Sequence, residues 1–400
     1  MTANEAPKRT SYDVVIIGGA ITGSSTAWFL SQNKDFTGKV LVVERDQSYE
    51  FAATALSNSS IRQQFSTELN VRISQFGAEF SQNLPKYMGG DAPKLTIRNF
   101  GYLYLADTDA FAAVLRANHK VQVAAGAQTR LMTPDEIKAA YPFYAVDDLV
   151  LGSLNTKDEG YFDGYTMFDW FRRQARAGGI EYITNEVVAI TRRADRVESV
   201  TLITGEVVAC GQVVNATGTR GAITARMAGI EIPIEPRKRY SWIFAAERPL
   251  DRDLPLTIDP SGVHFRQDST TTYLAGAHGD PDLAAEVDDF TMDHAIWQDH
   301  VWPVIASRIP QFEAIKVIRE WVGQYDYNLL DQNAIVGPHP EVANFLFLNG
   351  FSGHGLQQSP AMGRGTAEWL TYGAYRTLDL SPLGFARVAA NKPFVERAII

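Results

Sequence analysis

A glycine-rich turn and an acidic residue further along the chain are the first residues whose types and spacing could do chemistry. The turn reads Gly18-Gly19-Ala20-Ile21-Thr22-Gly23, and Glu44 follows about 20 residues later. Glycines in such a turn let the backbone approach a pyrophosphate at a helix N-terminus, and the acid accepts hydrogen bonds from ribose hydroxyls. Ala20 stands at the middle glycine position, so one methyl group must fit near the phosphates. The pattern predicts a dinucleotide site made by Gly18, Ala20, Ile21, Thr22, Gly23 and Glu44, with Arg45 beside it.

The elements around this turn favour the dinucleotide site over an ordinary strand-to-helix loop with a solvated acid. Residues 12–17 and 40–43 are strand-like apolar runs, and the helical stretch 24–32 lies between them. A plain NAD dehydrogenase would continue with more strand–helix repeats. This chain instead enters a loop, 51–65, that is rich in Ala, Ser, Asn and Gln and can line a longer cofactor. We therefore predict FAD rather than NAD.

Composition and local signals narrow the class of protein. The 400 residues exceed the usual size of one core, so two lobes are expected, and the net charge of -9 opposes a nucleic-acid partner. The single cysteine, Cys210, is expected to pack in a core, and no Cys/His cluster has metal-ligand spacing. Thr133, Pro134 and Glu136 predict the start of a helix. We expect a soluble cytoplasmic enzyme without a transmembrane segment, and a homo-oligomer is left open.

Three further segments carry a family resemblance. They are residues 57–66 (S-N-S-S-I-R-Q-Q-F-S), 215–218 (N-A-T-G) and 350–360 (G-F-S-G-H-G-L-Q-Q-S-P). Together they resemble the D-amino-acid-oxidase-type FAD-dependent oxidoreductases, the family of sarcosine oxidase and glycine oxidase. Residues 61–66 and 325–333 (Y-D-Y-N-L-L-D-Q-N) are most similar to its subgroup of FAD-dependent oxidoreductase domain-containing proteins, which is linked to complex I assembly.

The resemblance implies a fold that is α/β plus α+β. A discontinuous, Rossmann-type FAD-binding domain would comprise residues 10–85, 158–230 and 322–385. A substrate domain with an antiparallel sheet would comprise residues 86–157 and 231–321, and residues 386–400 would form a C-terminal tail. A helix is expected from about residue 360 to residue 370, with the preceding turn at the flavin ring.

The resemblance also implies which residues contact FAD. They are Ser57, Ser60, Arg62, Gln63, Val187, Ala216, Gly218, Gly350, Gly353, His354, Gly355, Leu356 and Gln357. The cysteine to which sarcosine oxidase tethers its flavin is matched here by Gln324, and the histidine of dimethylglycine-type enzymes has no counterpart in residues 53–60. FAD is therefore expected to bind noncovalently.

Four residues are candidates for contact with the substrate. Arg266 resembles the arginine that holds the substrate carboxylate in D-amino acid oxidase and glycine oxidase, although it could simply pair with Asp268. His278 matches an active-site histidine of sarcosine oxidase and would tune protonation, or it is a satisfied histidine at a strand end. Tyr325 could face the flavin or belong to the core, and His354 could lie at the flavin or cap a helix. If Arg266 is not the clamp, Arg62 or the run 237–239 is the next candidate.

The expected reaction is oxidation of a C–N bond in an amino acid or a secondary amino acid. A neutral amine would give a hydride from its α-carbon to flavin N5, and water would hydrolyse the imine. Reduced flavin would pass electrons to a quinone, an electron-transfer protein or oxygen. A dehydrogenase is favoured, because Leu274 takes the position of the oxygen-activating lysine of sarcosine oxidase. The alternatives are a 2-hydroxy acid dehydrogenase and an FAD-stabilised assembly protein of a respiratory complex.

Overall fold

The computed structural model describes residues 3–397, which form ten α-helices and eighteen strands. The helices are α1 (Ile21–Gln32), α2 (Glu68–Gln82), α3 (Leu84–Met88), α4 (Asp109–Ala124), α5 (Pro134–Ala140), α6 (Gly164–Ala177), α7 (Gly221–Met227), α8 (Trp302–Arg308), α9 (Gly355–Tyr372) and α10 (Ala386–Ala389). The strands are β1 (Ser11–Ile17), β2 (Val40–Glu44), β3 (Ser60–Ile61), β4 (Tyr102–Ala106), β5 (Arg130–Met132), β6 (Leu151–Asn155), β7 (Gly160–Tyr161), β8 (Glu181–Thr184), β9 (Val187–Arg193), β10 (Arg196–Leu202), β11 (Val207–Asn215), β12 (Ile234–Ala246), β13 (Leu256–Ile258), β14 (His264–Gln267), β15 (Thr272–Ala277), β16 (Ile315–Asn328), β17 (Ile335–Pro338) and β18 (Phe345–Asn349).

The first sheet has the strand order β17-β18-β11-β1-β2-β8, with β10 and β9 attached beside β11. Strands β18, β11, β1, β2 and β8 are parallel, and β17 is antiparallel to β18. Its central strand β1 is apolar on both faces, because Val14 and Ile16 belong to one core and Val15 and Ile17 to another. Such two-sided burial is typical of a parallel sheet covered by helices. Helices α1, α6 and α9 pack together on one side of this sheet.

The second sheet is mostly antiparallel and has the order β16-β12-β15-β14-β13-β4-β6-β5. One of its faces carries large apolar side chains, including Trp242, Phe244, Phe265 and Tyr273, and these pack with residues of α8 into a separate core. Side chains alternate between the two faces of a strand, so the intervening residues Ser241 and His264 point to the other face. That other face is the one that meets the first sheet.

The predicted fold class is confirmed by this pair of sheets. The strands of the first sheet fall within the predicted ranges 10–85, 158–230 and 322–385, whereas β16 of the second sheet runs across residue 322. The domain boundaries themselves stay a prediction. None of the helices between residues 3 and 397 has the length and apolar character needed to span a lipid bilayer.

Two expected helix starts had different outcomes. The start at Thr133 is confirmed, since Thr133 and Glu136 form the reciprocal capping box at α5. The expected start near Pro360 was wrong, because α9 begins at Gly355 and contains Pro360 in its second turn. Proline lacks the N–H that would bond to the carbonyl of Leu356, and the hydroxyl of Ser359 donates to that carbonyl at 2.9 Å instead.

The predicted C-terminal tail is docked on the rest of the chain as far as residue 397, and residues 398–400 lie outside the described residues. Glu396 is fully buried and accepts hydrogen bonds from the Ser66 N–H and from the Asn70 amide, both at 2.8 Å. Arg387 of α10 pairs with Asp331 at 2.7 Å. These contacts tie the end of the chain to α2 and to the loop after β16.

Candidate active site

A cavity of about 550 Å³ lies where the carboxyl ends of the first sheet's parallel strands meet the second sheet. Ligands of open α/β sheets bind at that edge. Most of the residues predicted from the sequence line this cavity, namely Gly18, Ala20, Ile21, Thr22, Glu44, Arg45, Ser57, Ser60, Arg62, Val187, Ala216, Gly218, Tyr325, Gly353, His354, Gly355, Leu356 and Gln357. The cavity therefore joins sequence segments that are far apart in the chain.

The glycine turn after β1 has the shape needed for close backbone approach. Gly18 has a φ of +97°, and a Cβ there would collide with the carbonyl of Ala216. A Cβ on Gly23 would collide with the carbonyl of Gly18, so Gly23 serves the packing of α1 against β1 and lies outside the cavity lining. Ala20 adopts an ordinary extended φ of -69° at the N-cap of α1. The methyl group of Ala20 is thus accommodated without backbone strain.

Glu44 ends β2 inside the cavity with its carboxylate already oriented. One oxygen accepts the N–H of Gly19 and the other accepts the N–H of Asp46, each at 2.8 Å. Burial raises the pKa of Glu44, and these two backbone hydrogen bonds oppose the rise. A carboxylate has about four acceptor positions. Glu44 can therefore still accept hydrogen bonds from the two hydroxyls of a ribose.

A second turn, at residues 350–353, leads into α9 from the opposite side. Asp326 of β16 accepts the Gly350 N–H at 2.8 Å, and burial raises the pKa of Asp326 to about 6. Gly353 has a φ of +91°, and a Cβ there would lie 2.5 Å from the Tyr325 ring. Gly350, which was predicted to contact FAD, is not among the residues that line the cavity, and with a φ of +75° it shapes the turn instead. The turn presents the N-terminus of α9, with its unused backbone N–H groups, to the cavity.

Arg62 ties the 57–62 loop to the start of α9. Its guanidinium donates to Nε2 of His354 at 2.7 Å, and its backbone N–H donates to Oε1 of Gln357 at 2.8 Å. The guanidinium also lies 4.1 Å from the centre of the Phe65 ring. Burial and the adjacent Arg62 hold the pKa of His354 well below its usual range. His354 is therefore a neutral imidazole.

The wall formed by the second sheet carries Arg239. The sequence predicted the run 237–239 only as an alternative to Arg266 for the carboxylate clamp. Arg239 lines the cavity over the face of Tyr325, with its guanidinium carbon 4.6 Å from the ring centre. Its terminal nitrogens pair with both oxygens of Asp282 at 2.9 and 3.0 Å. The Nε of Arg239 has no hydrogen-bond partner among the described residues. Arg239 is thus a buried cation of the cavity wall that is paired with Asp282.

A chain of three polar side chains adjoins Arg239, and none of the three was singled out from the sequence. The hydroxyl of Ser241 donates to Oδ1 of Asn58 at 3.1 Å, and the Asn58 amide lies 3.3 Å from Nε2 of His264. All three residues line the cavity. One signal was available for His264, since it stands two residues before Arg266 and must face the same way if both belong to one strand.

Arg266, the expected carboxylate clamp, lies outside the cavity lining, which corrects that prediction. It is 3% exposed, and it donates to the backbone carbonyls of Gln267 at 2.7 Å and Asn58 at 2.9 Å. Asp268 lies 3.8 Å away. Burial lowers the pKa of Arg266 to about 10. The loop at Asn58 covers Arg266, and the hydrogen bond to the Asn58 carbonyl braces that loop.

Two other predicted residues are also outside the lining. His278 follows β15 with its Nδ1 2.8 Å from the carbonyl of Gly279. Gln63 points to the far side of its loop, where its N–H donates to Glu159 at 2.6 Å and its amide to the Lys157 carbonyl at 3.2 Å. Neither residue is brought to the cavity.

Groups that could tether a flavin or bind a metal were also located. Cys210 is a residue of β11 that packs in the core, and burial raises the pKa of its thiol to about 12. Gln324 lines the cavity, but its amide donates to the carbonyls of Glu286 and Asp289 at 2.8 and 3.0 Å. Between residues 3 and 397, no group of three or more His, Cys, Asp or Glu side chains is placed to hold a metal ion.

Comparison with known proteins agrees with this geometry. The model of the DAO family, FAD dependent oxidoreductase, matches residues 13–369. FAD-dependent oxidoreductase domain-containing protein 1 of Xenopus laevis is 37% identical, over 100% of this chain and 86% of that protein. Sarcosine oxidase subunit beta of Arthrobacter sp is 25% identical over 90% of this chain and 87% of that subunit. The crystal structure of L-proline dehydrogenase from P. horikoshii superposes with a TM-score of 0.81 and 25% identity, covering 96% of this chain and 99% of that one. The chain therefore belongs to the DAO family of FAD-dependent oxidoreductases, and FAD is its cofactor.

Proposed function

We propose that this chain oxidises the C–N bond of an amino acid or of a secondary amino acid. The observation that carries the proposal is the placement of the Arg239 cation in the cavity wall, over the face of Tyr325. An unpaired buried charge is very costly, so an anionic substrate needs a cationic partner in this enclosed site. The two terminal nitrogens of Arg239 already pair with Asp282, so a substrate carboxylate would share this cation with Asp282.

The residues that would hold FAD lie at the first sheet. Glu44 would accept the ribose hydroxyls, the N-terminus of α1 would face the pyrophosphate, and the N-terminus of α9 would lie at the flavin ring. The bound flavin supplies the acceptor for a hydride from the substrate's α-carbon. The turn at 350–353 and Arg62 fix the start of α9, so these groups are preorganised before substrate arrives.

The titratable groups of the site favour binding of the neutral amine. His354 is neutral, and burial followed by the charge of Arg239 lowers the pKa of His264 to about 3. A neutral imidazole next to cations does not attract a second positive charge. An amine that loses its proton before it enters the cavity keeps the lone pair that hydride loss requires, so we assign no side chain as a strong base.

Two named relatives support the substrate class. Sarcosine oxidase subunit beta and L-proline dehydrogenase carry substrates in their names that are both secondary amino acids. Their names differ over the electron acceptor. We propose a dehydrogenase that reduces a quinone or an electron-transfer protein rather than oxygen. Leu274, the expected counterpart of the oxygen-activating lysine of sarcosine oxidase, is a buried apolar residue of β15. Oligomeric state and cytoplasmic location stay predictions.

The deciding experiment is anaerobic flavin reduction followed by the loss of visible absorption. The panel contains amino acids, N-alkyl amino acids, matched amines without the carboxylate, and 2-hydroxy acids. We expect secondary amino acids to bleach the flavin, and Arg239→Met to raise the concentration needed without lowering FAD content. Bleaching by hydroxy acids alone would replace the proposal with the 2-hydroxy acid alternative. A flavin that no compound reduces would favour the assembly-protein alternative.

A further inference from the structure

Glu159 is a fully buried carboxyl group in the turn between β6 and β7. Three N–H groups donate to it, namely the Gln63 backbone N–H at 2.6 Å, the Asn155 amide at 2.8 Å and the Gln64 amide at 3.0 Å. All three donors are uncharged. A carboxylate accepts hydrogen bonds and has no hydrogen to donate, so this arrangement suits the ionised form of Glu159.

The segment 62–64 connects Glu159 to the wall of the cofactor cavity. The guanidinium of Arg62 donates to the carbonyl of Gln64, and the side-chain amide of Gln64 donates to Glu159. Arg62 itself lines the cavity and donates to His354, the residue before α9. Glu159 is therefore linked through one residue to a cation of the cavity wall.

A second cavity, of about 510 Å³, lies beside the same segment. Its lining includes Gln63, Lys157 and Asp158, and the last two directly precede Glu159 in the chain. Lys157 is exposed to solvent. A proton therefore has a short route between solvent and the buried carboxyl group of Glu159.

The groups around Glu159 allow its charge to change near neutral pH. Burial raises the pKa of Glu159 to about 8, although its three hydrogen bonds and the charge of Arg62 lower it. Tyr102 and Tyr104 of β4 are close enough to interact with Glu159, and burial raises the pKa of both phenols, that of Tyr102 to about 12. The buried Glu396 lies on the side of Tyr104. Of Glu159 and the two phenols, only Glu159 changes its charge between about pH 6.5 and about pH 9.

We propose that Glu159 tunes the reduction potential of the flavin, as a positioning residue that acts through Gln64 and Arg62. Reduction of FAD by two electrons and one proton adds one negative charge to the ring. A cation at the start of α9 favours that reduced form, and an ionised Glu159 behind Arg62 weakens the effect. The inference rests on the proposed placement of the flavin ring at α9, and it does not depend on the identity of the substrate.

The test measures the midpoint potential of the bound flavin at about pH 9 and at about pH 6.5. The FAD-loaded protein is reduced with dithionite in the presence of a reference dye, and no substrate is added. Glu159→Gln removes the charge of the buried carboxyl group. The control is Asp158→Asn, which removes the charge of the preceding residue at the second cavity. Asp158 has a φ of +56°, a conformation that asparagine tolerates.

We expect Glu159→Gln to raise the midpoint potential at about pH 9, where Glu159 is ionised in the unaltered protein. The shift should correspond to a roughly tenfold change in the ratio of reduced to oxidised flavin, or ~30 mV for two electrons. At about pH 6.5 Glu159 carries a proton, so the difference between the two proteins should largely disappear. Asp158→Asn should match the unaltered protein at both pH values.

A purely structural role for Glu159 would give the same difference at both pH values and would contradict the proposal. A potential that Glu159→Gln leaves unchanged at about pH 9, or an equal shift in Asp158→Asn, would also overturn it. If Glu159→Gln does not retain FAD, Asn155→Leu provides the test, because it removes one donor and leaves the carboxyl group in place. The ionisation of Glu159, and the fall in potential that accompanies it, should then move to higher pH. A curve of potential against pH that coincides with that of the unaltered protein would count against the proposal.

Discussion

The guanidinium of Arg62 donates to Nε2 of His354 across 2.7 Å inside the protein. An arginine nitrogen has no acceptor function, so His354 must be the acceptor and carries its hydrogen on Nδ1. The same loop that places Arg62 therefore fixes the tautomer of the residue that begins α9. A histidine held in this way is a structural part of the cavity wall and not a proton donor at neutral pH.

Acid is expected to destabilise the fold through its buried neutral histidines. The pKa of His264 falls to about 3 on folding and that of His354 falls well below its usual range, mainly through burial. Below about pH 6.5 the unfolded chain binds protons that the folded chain excludes, so stability falls as pH falls. His264→Gln should lessen this acid sensitivity by about 1.4 kcal/mol per pH unit below that point. Thermal midpoints at pH 7.5 and 5.5 check this, and equal acid sensitivity in the variant and the unaltered protein would disprove it.

Glu44→Ala should weaken FAD binding. Its carboxylate is held by Gly19 and Asp46, and charged hydrogen bonds to the ribose would contribute roughly 1.5 to 3 kcal/mol, or about 10- to 100-fold in Kd. Titration of the apoprotein with FAD measures the change. Glu50→Gln, an exposed acid nearby, is the matched control. Equal FAD affinity in Glu44→Ala and the control would exclude the ribose role.

FAD should leave the protein on acid precipitation. The chain's one cysteine, Cys210, is a core residue of β11, and Gln324 is the expected counterpart of the tethering cysteine of sarcosine oxidase. The purified protein is expected to be yellow with about one FAD per chain. The supernatant after acid treatment should contain the flavin absorption. Flavin that stays with the pellet would show a covalent link.

The segment 286–290 should depend on Gln324 for its position over the cavity. The Gln324 amide donates to the carbonyls of Glu286 and Asp289, while Asp288 pairs with Arg220 at 2.6 Å on the surface. A surface ion pair contributes about 0–1 kcal/mol, whereas loss of buried hydrogen bonds costs more. Gln324→Met should therefore speed hydrogen exchange in 286–290 and FAD release more than Asp288→Asn does. The reverse order would mean that the ion pair holds the segment.

Reduced flavin should react slowly with oxygen and faster with a quinone. The expectation follows from Leu274, a buried residue of β15 that is the expected counterpart of the oxygen-activating lysine of sarcosine oxidase. Stopped-flow reoxidation, in air and with a soluble quinone, compares the two acceptors. A rate in air as high as that of an efficient oxidase would identify the chain as an oxidase.

The predictions for the first half of the site depend on local sequence patterns. The turn from Gly18 to Gly23 and Glu44 depends on one strand–helix–strand unit, whose residues are neighbours in sequence. The capping box at Thr133 is equally local. In each case the residues that act together lie close in sequence, so their arrangement could be predicted from the sequence alone.

The site residues on the second sheet were harder to predict, because their contacts depend on the register between strands that are distant in sequence. Arg266 and His264 share one face of β14, but only the position of the Asn58 loop decides that Arg266 is covered while His264 lines the cavity. Similarly, Arg239 reaches the cavity because β12 pairs with β16 and places it over Tyr325. No local pattern contains that information. The start of α9 was predicted wrongly for another reason. The helix continues through Pro360, because the hydroxyl of Ser359 makes the hydrogen bond to the Leu356 carbonyl that Pro360 cannot make.

The cavity takes its walls from residues as early as Ile17 and as late as Gln357. During translation the glycine turn and Glu44 leave the ribosome long before the turn at 350–353 and α9. A nascent chain therefore presents an open half-site for most of its synthesis, and FAD is enclosed only when nearly the whole chain has emerged. A premature stop before residue 350 would preserve the complete glycine fingerprint and still yield a protein without one wall of its cofactor site.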